Sequence, residues 1–553
     1  MKGILKIKGK YFKSHKLYIF AILFTTIQGV SEIILPRLMG DIVNRGIMTG
    51  NLDMVYSIGI KMLVFTVLLG ISGYFAFVFT NIAVLRFGHE LRTDLYDKVT
   101  KLRYNEVHKM GGGSVITRLT GDVEKVVSVI KITIDLIYKP LLLAIGGFFM
   151  IFTISSGFGL VFLGFIIALI TIVWIYIRKT SSMFMDVQKS VDSVNTRLQR
   201  VLHSMRLIKA SVTEEYEEER FEEKNTDLYK KNIRVLTIMS TLNPIVMFIM
   251  NIAIVVIVVM IGYHGRENST AIGNVMMSIT YAEQILMSIM ISSNLARSIS
   301  EIKPSVVRLE AIMEAETEAG GTELIDCIES VELKNVDLEY IENVKVLSDI
   351  SLSLKKGESL AVVGSTSGGK SSLALLIAGM EKATAGEVLV NGRSIERYDP
   401  QELRKHIAVV GAYNNSVYSG TFLENIILGR DYVSREDAEK AAKNAEISDF
   451  IESMDYGYDS ICYASGNTVS GGQRQRLMIA RALAGNPDMI ILDDSTSSLD
   501  YATEKKVITN IKKNYKDTIL LLITERTGSL AQCDRSCILQ EGGLVYADRN
   551  DRR

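Results

Sequence analysis

The sequence predicts a chain of two unlike parts: an all-α, six-helix polytopic membrane domain, followed by an α/β domain built around a phosphate-binding loop. Three observations carry this reading. Apolar residues concentrate in the first half, where six segments each supply the roughly 20 mostly apolar residues that a helix needs to cross hydrocarbon. From Val331 the pattern changes to short β-rich runs alternating with amphipathic stretches, the signature of a parallel sheet with crossover helices. Between one such run and an apolar helix lies a glycine-rich loop ending in Lys370 and Ser371. At 553 residues the chain is too long for one core. Its 62 basic and 62 acidic side chains cancel, so no overall field favours nucleic acid, and none is expected as a partner.

The six segments are 17–45, 54–87, 130–155, 158–177, 236–263 and 271–298. Their flanks set the orientation, because Lys and Arg collect on the cytoplasmic side. Lys2, Lys6, Lys8, Lys10, Lys13 and Lys16 precede the first span, and connections 88–125 and 178–234 are long and charged, whereas 46–53, 155–157 and 264–270 are short. The N-terminus, the long connections and the second domain are therefore expected in the cytoplasm, with the chain multi-pass in a cell membrane, read as a bacterial plasma membrane. Within 197–223, Val201, Met205, Ile208 and Val212 recur at helical spacing among charges, which predicts a helical extension into water. Residues 1–308 make the membrane domain, 309–328 a Glu-, Ala-, Gly- and Thr-rich linker, and 329–553 the α/β domain. All four cysteines, Cys327, Cys462, Cys533 and Cys537, fall in the second half and read as reduced thiols.

In the second domain the runs 359–363, 489–492 and 518–523 are apolar almost throughout, as buried central strands should be. The first leads into Gly364, Ser365, Thr366, Ser367, Gly368, Gly369, Lys370, Ser371 and Ser372. Glycines let such a backbone wrap phosphate, whose charge meets amide hydrogens and the positive end of the following helix. A lysine here reaches the terminal phosphates and the next hydroxyl serves Mg²⁺. Asp493 ends another apolar run, the place for a carboxylate that holds Mg²⁺ through water. The site thus calls for ATP and Mg²⁺.

A further motif, Ser470, Gly471, Gly472 and Gln473, precedes Arg474, Gln475, Arg476 and the run Ala480, Arg481, Ala482, Leu483. In this order the three elements resemble the nucleotide-binding domain of ABC transporters, and the upstream helices make the whole similar to an exporter-type half-subunit: six helices fused to an ABC ATPase of the P-loop NTPase fold. The resemblance implies that Tyr340 stacks on adenine and that Ser470 to Gln473 bind the γ-phosphate of ATP held by an opposing subunit. It also implies that Ser497 to Asp500 cross the dimer interface. The turn from Met110 through Gly111, Gly112 and Gly113 to Ser114, followed by Arg118 and Asp122, resembles the place where these exporters set a short coupling helix.

The same resemblance exposes departures. Asp494 stands where the family has the glutamate that polarises water; its shorter side chain retreats by roughly an ångström, a displacement that can cost about a hundredfold. Glu525 replaces the switch histidine, putting negative charge near phosphate, where two such charges about 4 Å apart repel by about 4 kcal/mol at an effective dielectric of roughly 20. Tyr413 aligns with the glutamine that coordinates Mg²⁺, and Ala464 with a glutamate that contacts the coupling helix. Together these resemble the degenerate-site subunit of a heterodimeric exporter, whose partner carries the competent Glu and His. A homodimeric exporter and a non-transporting ATP sensor stay open as alternatives. The transported substrate is open among drugs, peptides, lipids and other small molecules. Glu32 and Glu283, inside predicted spans where ionisable groups are costly, are the candidate substrate residues. Met276, Met277, Met287 and Met290 could line their site.

Overall fold

The computed structural model describes residues 15–154, 156–264, 271–293, 295–318, 320–341, 344–365, 368–411, 416–463 and 469–546. The chain divides into two compact units, one taking the residues through Thr100 and Gly112–Glu314, the other Lys101–Gly111 and Ala315–Arg553.

The first unit is helical. Helix α1 (His15–Asp41) runs into a π-helical segment, Ile42–Ile47, and α2 (Leu52–Thr100) follows after a short turn. After α3 (Tyr104–Met110), which belongs to the second unit, come α4 (Gly112–Thr117), α5 (Val123–Ile132) and α6 (Lys139–Ile154), joined by π-helical segments Arg118–Asp122 and Thr133–Tyr138. Then follow α7 (Ser156–His203), α8 (Met205–Ser211), α9 (Glu214–Ser240), α10 (Leu242–His264), α11 (Ala271–Ser293) and α12 (Leu295–Glu314). Among the described residues six stretches are long and apolar enough to span a membrane, in the order the sequence predicts. Apolar side chains such as Ile60, Leu63, Val64 and Val67 lie exposed along α2, as a lipid-facing surface requires.

Helices α7 and α9 lie side by side and are tied by an Arg197–Glu217 ion pair, with Asp227 accepting from Ser190 at 2.8 Å and from Lys231 at 2.7 Å. The helical extension expected over 197–223 is not continuous. It breaks at Ser204 and again at Val212, whose φ of 53° is left-handed, so of the four apolar positions named only Ile208 is buried. Side-chain periodicity cannot register a one-residue reversal of the backbone. Asp122 is buried and held by Arg308 through a two-pronged pair (2.5 and 2.6 Å) and by Ser305 at 2.8 Å, which anchors the segment after α4 to α12.

The second unit contains two main sheets. One is antiparallel, ordered β2-β1-β4-β5, from β1 (Ser330–Ile341), β2 (Val344–Lys355), β4 (Ala385–Val390) and β5 (Arg393–Ser394). The other is six-stranded, with β12 (Gly543–Tyr546) antiparallel at one edge and then, mutually parallel, β11 (Arg535–Gln540), β3 (Ser359–Gly364), β10 (Ile519–Thr524), β9 (Met489–Asp493) and β6 (Ile407–Gly411). The three apolar runs picked out in the sequence are β3, β9 and β10, adjacent and almost wholly buried at the sheet centre. The antiparallel sheet is an addition that the alternation of strands and helices does not announce. Cys533 and Cys537 are buried thiols, pushed up by that burial to about 11 and about 12.

Candidate functional site

Because parallel strands β3, β9 and β10 end on the same side, their C-terminal loops converge. Strand β3 delivers Gly364 and the loop into α13 (Lys370–Ile377), β9 delivers Asp493 and Asp494, and β10 delivers Glu525. Sequence positions more than 100 residues apart thus meet at one phosphate loop.

Gly369 has φ 91°, and a Cβ there would stand 2.8 Å from Leu347 and 2.9 Å from the Val346 carbonyl. Only glycine lets the loop lie that close to β2. Thr366 and Ser367 lie outside the described residues, as do Tyr413 and Ala464. Lys370 is nearly buried, and its ammonium donates to the Gly364 carbonyl at 2.8 Å, the Ser365 carbonyl at 3.1 Å and Glu525 Oε1 at 3.0 Å. An ammonium has three donors. All three are engaged, and one is held by the residue in the switch position.

Asp493 is 1% exposed, and among the described residues neither carboxylate oxygen is in hydrogen-bond geometry with a donor, although the Ser371 hydroxyl lies close enough to act on it. Burial raises its carboxyl above the usual range, with Asp494 adding to the rise and Ser371 and Lys370 opposing it. A buried carboxylate beside a serine hydroxyl fits a hard cation that takes oxygen ligands. Ser371 and Asp493 would hold Mg²⁺ here, directly or through water. Bound, the ion would neutralise charge on the terminal phosphates.

Asp494 sits on left-handed backbone at φ 49°, a region that Asp tolerates better than longer side chains. Its N–H donates to the Ile523 carbonyl at 2.9 Å, and the Glu525 backbone N–H in turn bonds to its carboxylate. Burial raises the Asp494 carboxyl, and Glu525 adds to the rise while Lys370 opposes it. Tyr340 is part-exposed on β1 and its hydroxyl donates to Ser372 Oγ at 3.2 Å, beside the loop. Helix α3 lies in this neighbourhood. Its leading residues pair with the chain before β1: Arg103 with Glu316 at 2.9 Å, and the Lys101 carbonyl with the Glu318 N–H at 2.8 Å. The turn expected from Met110 to Ser114 is a single residue, Gly111 at φ 74°, with short helices on either side.

The second motif opens α18 (Gly471–Ala484). Ser470 is its N-cap, accepting the Gln473 N–H at 3.3 Å while Gln473 Oε1 accepts the Ser470 N–H at 2.7 Å, a reciprocal capping box. A Cβ on Gly472 would lie 3.1 Å from the Ser498 carbonyl. Gln475 secures that loop by donating to Ser497 Oγ at 3.0 Å and accepting the Ser498 N–H at 2.8 Å.

Sequence reasoning missed the support behind these loops. Glu504, on α19 (Tyr501–Asn514), is fully buried, accepts from Thr496 at 3.0 Å and Ser529 at 2.8 Å, and pairs with Arg526 at 3.3 Å. Arg526 donates also to the carbonyls of Leu499 and Ser497. This network joins the loop after Asp493 to the loop after β10. The helical spacing of Glu504 with Val507, Ile508 and Ile511 was the available signal, since it puts a carboxylate on the buried face.

In the first unit, Glu32 and Glu283 line one cavity. Of the four methionines named, only Met287 lines it. Met277 is buried against Gly40, while Met39 and Met62 supply lining the sequence did not indicate.

Comparison with known proteins agrees with this architecture. Residues 18–289 match the family model described as ABC transporter transmembrane region, and 347–497 that described as ABC transporter. The uncharacterized ABC transporter ATP-binding protein YfiB of Bacillus subtilis is 30% identical over 93% of this chain and 90% of its own length. The ATP-dependent lipid A-core flippase of Syntrophus aciditrophicus is 27% identical over 90% of this chain and 83% of its own. A bacterial Atm1-family ABC exporter solved with ATP bound superimposes with a TM-score of 0.79 at 20% identity, covering 96% of this chain and 94% of that one.

Proposed function

The chain belongs to the ABC transporter family, as an exporter half-transporter with membrane region and ATPase in one polypeptide, and on that premise we propose that it is the regulatory half of a heterodimeric exporter. Its own nucleotide site binds ATP and Mg²⁺ but turns over slowly. Its motif from Ser470 to Gln473 completes the competent site of a partner that carries the catalytic glutamate and the switch histidine. Both termini and the ATPase then lie in the cytoplasm, and ATP-driven closure moves substrate outward across the bilayer.

The observation that carries the reading is the Lys370–Glu525 pair at 3.0 Å. A carboxylate already neutralises the lysine that should meet the terminal phosphates, so ATP must displace Glu525 or be held beside it. Asp494 compounds the weakness, because a base tied to the Glu525 backbone N–H and shortened by one methylene is poorly set to polarise water. A site that retains ATP without consuming it biases the closed state for as long as the nucleotide stays. The name of the Syntrophus relative assigns it a lipid A-core, so lipid is among the substrates open to this chain.

ATP turnover by the purified chain, alone and with a second half-transporter, tests the proposal. Turnover is expected only with the partner, and lost when the partner's catalytic glutamate becomes glutamine. Turnover of about one per second or faster by the chain alone, within the ordinary enzymatic range, overturns it in favour of a homodimer.

A further inference from the structure

The cavity in the membrane unit has a volume of about 870 Å³ and is walled by α1, α2, the Thr133–Tyr138 segment, α6 and α11. Three carboxylates line it, Glu32, Asp135 and Glu283, against one ammonium, Lys139. Lys139 Nζ lies 3.5 Å from Glu32 Oε2, and Lys139 and Lys131 also act electrostatically on Asp135, so the chain's own cations compensate Glu32 directly and Asp135 in part. Among the described residues neither Asp135 nor Glu283 is salt-bridged. Gln284, also on the wall, has its Oε1 buried without a hydrogen-bond partner among the described residues, a further acceptor for a donor. The rest of the lining is largely aliphatic and thioether, including Leu35, Met39, Met62, Leu143, Met287 and Ile291.

A carboxylate without a salt bridge in an apolar membrane setting is costly. A cation brought by a ligand relieves that penalty. The volume falls in the range of about 300–1,000 Å³ typical of small-molecule sites, and thioethers adapt to the shape of an apolar body. We propose that this cavity binds small amphiphiles carrying one or two cationic groups, with the cation between Asp135 and Glu283 and the apolar body against the methionines. A carboxylate-headed lipid meets like charge there. The proposal deepens the exporter reading by naming a substrate class, but binding needs neither ATP nor a partner's catalytic site.

The test uses the full chain in nanodiscs of zwitterionic lipid, without nucleotide, and reads fluorescence anisotropy of rhodamine 6G as the cationic probe, with oleate as the anionic competitor. Saturable binding is expected, weakened about tenfold in Asp135→Asn/Glu283→Gln and unchanged in Asp53→Asn, an acid outside the cavity. Lys139→Met, which frees Glu32, is expected to tighten binding severalfold, so two variants must move in opposite directions. Oleate should not displace the probe. Absence of saturable binding, indifference to both cavity variants, or displacement by oleate overturns the proposal. Because no hydrolysis is measured, these results are separate from the test of the heterodimer.

Discussion

The two faces of the nucleotide domain contrast in how their polar groups are spent. Around the phosphate loop, charges are left to one another or to burial: Lys370 is held by Glu525, and among the described residues no donor is in hydrogen-bond geometry with the buried Asp493 carboxylate. Around Ser470 every group named is used to fix backbone. Ser470 and Gln473 cap α18, Gln475 clamps the loop at 497–498, and Arg526 with Glu504 braces it from behind. One face stores unresolved electrostatics, and the other is a finished scaffold. On the proposed reading the scaffold serves a phosphate bound at the loop of the opposing subunit.

The strongest way to break the comparison is on the finished face. Gly472→Asp would press a side chain on the Ser498 carbonyl, 3.1 Å from the Cβ position, and add negative charge where the proposal sets the partner's phosphate. Turnover of the pair should fall about a hundredfold, the size of losing an electrostatic contact in a transition state, while nucleotide binding at this chain's own loop is unchanged. An equal loss of binding at the Lys370 loop would show that the faces are not independent. Next is the brace. Glu504→Ala strands two hydroxyls and part of the Arg526 guanidinium, at a cost of about 2–3 kcal/mol after allowing for the exposed arginine. The thermal midpoint of the soluble ATPase unit's unfolding within the full chain should drop by several degrees. Glu504→Gln, which keeps the acceptor oxygen, should recover part of it.

The loaded face should respond in the other direction. Glu525→Gln removes the anion that competes for Lys370, and ATP should bind about tenfold more tightly, equivalent to ~1.4 kcal/mol for a half-exposed pair. Equilibrium binding of a fluorescent ATP analogue measures it. Unchanged or weaker affinity would mean that Glu525 orders the loop and does not compete with phosphate. Restoring both positions, Asp494→Glu with Glu525→His, should raise turnover of the chain above that of either single change. The longer side chain at residue 494 will carry a backbone cost, because φ there is 49°.

What the sequence could convey follows the length scale of the physics involved. The central strands and the phosphate loop were legible because burial on both faces demands unbroken apolar runs, and close approach to phosphate demands glycine. Glu32 and Glu283 were legible because charge is rare in a span. Asp135 and Lys139 lie in the predicted span 130–155 and carried the same signal, but their place on a wall shared with Glu283 depends on how the Thr133–Tyr138 segment and α6 pack, which no local pattern encodes. The expectation for Glu525 had its charge right and its neighbour incomplete. Its expected effect was repulsion of phosphate, whereas its attraction to Lys370 depends on β10 lying beside β3, a parallel pairing that no local pattern encodes.

The smallest expected effect sharpens the comparison at the edge of the loaded face. Tyr340 offers two things, a ring that is part-exposed and a hydroxyl bonded to Ser372 at 3.2 Å. If the ring stacks on a base, Tyr340→Ala should weaken the nucleotide analogue by about 5- to 10-fold, the lower part of what one base–aromatic contact contributes, at ~1–3 kcal/mol. Tyr340→Phe should shift affinity less than about threefold, because one long neutral hydrogen bond beside solvent contributes about 0.5 kcal/mol. Equal losses in both variants would instead assign Tyr340 to holding Ser372, hence to the loop, and the adenine contact would have to be sought in the part-exposed Tyr104 of α3, whose hydroxyl acts electrostatically on that of Tyr340.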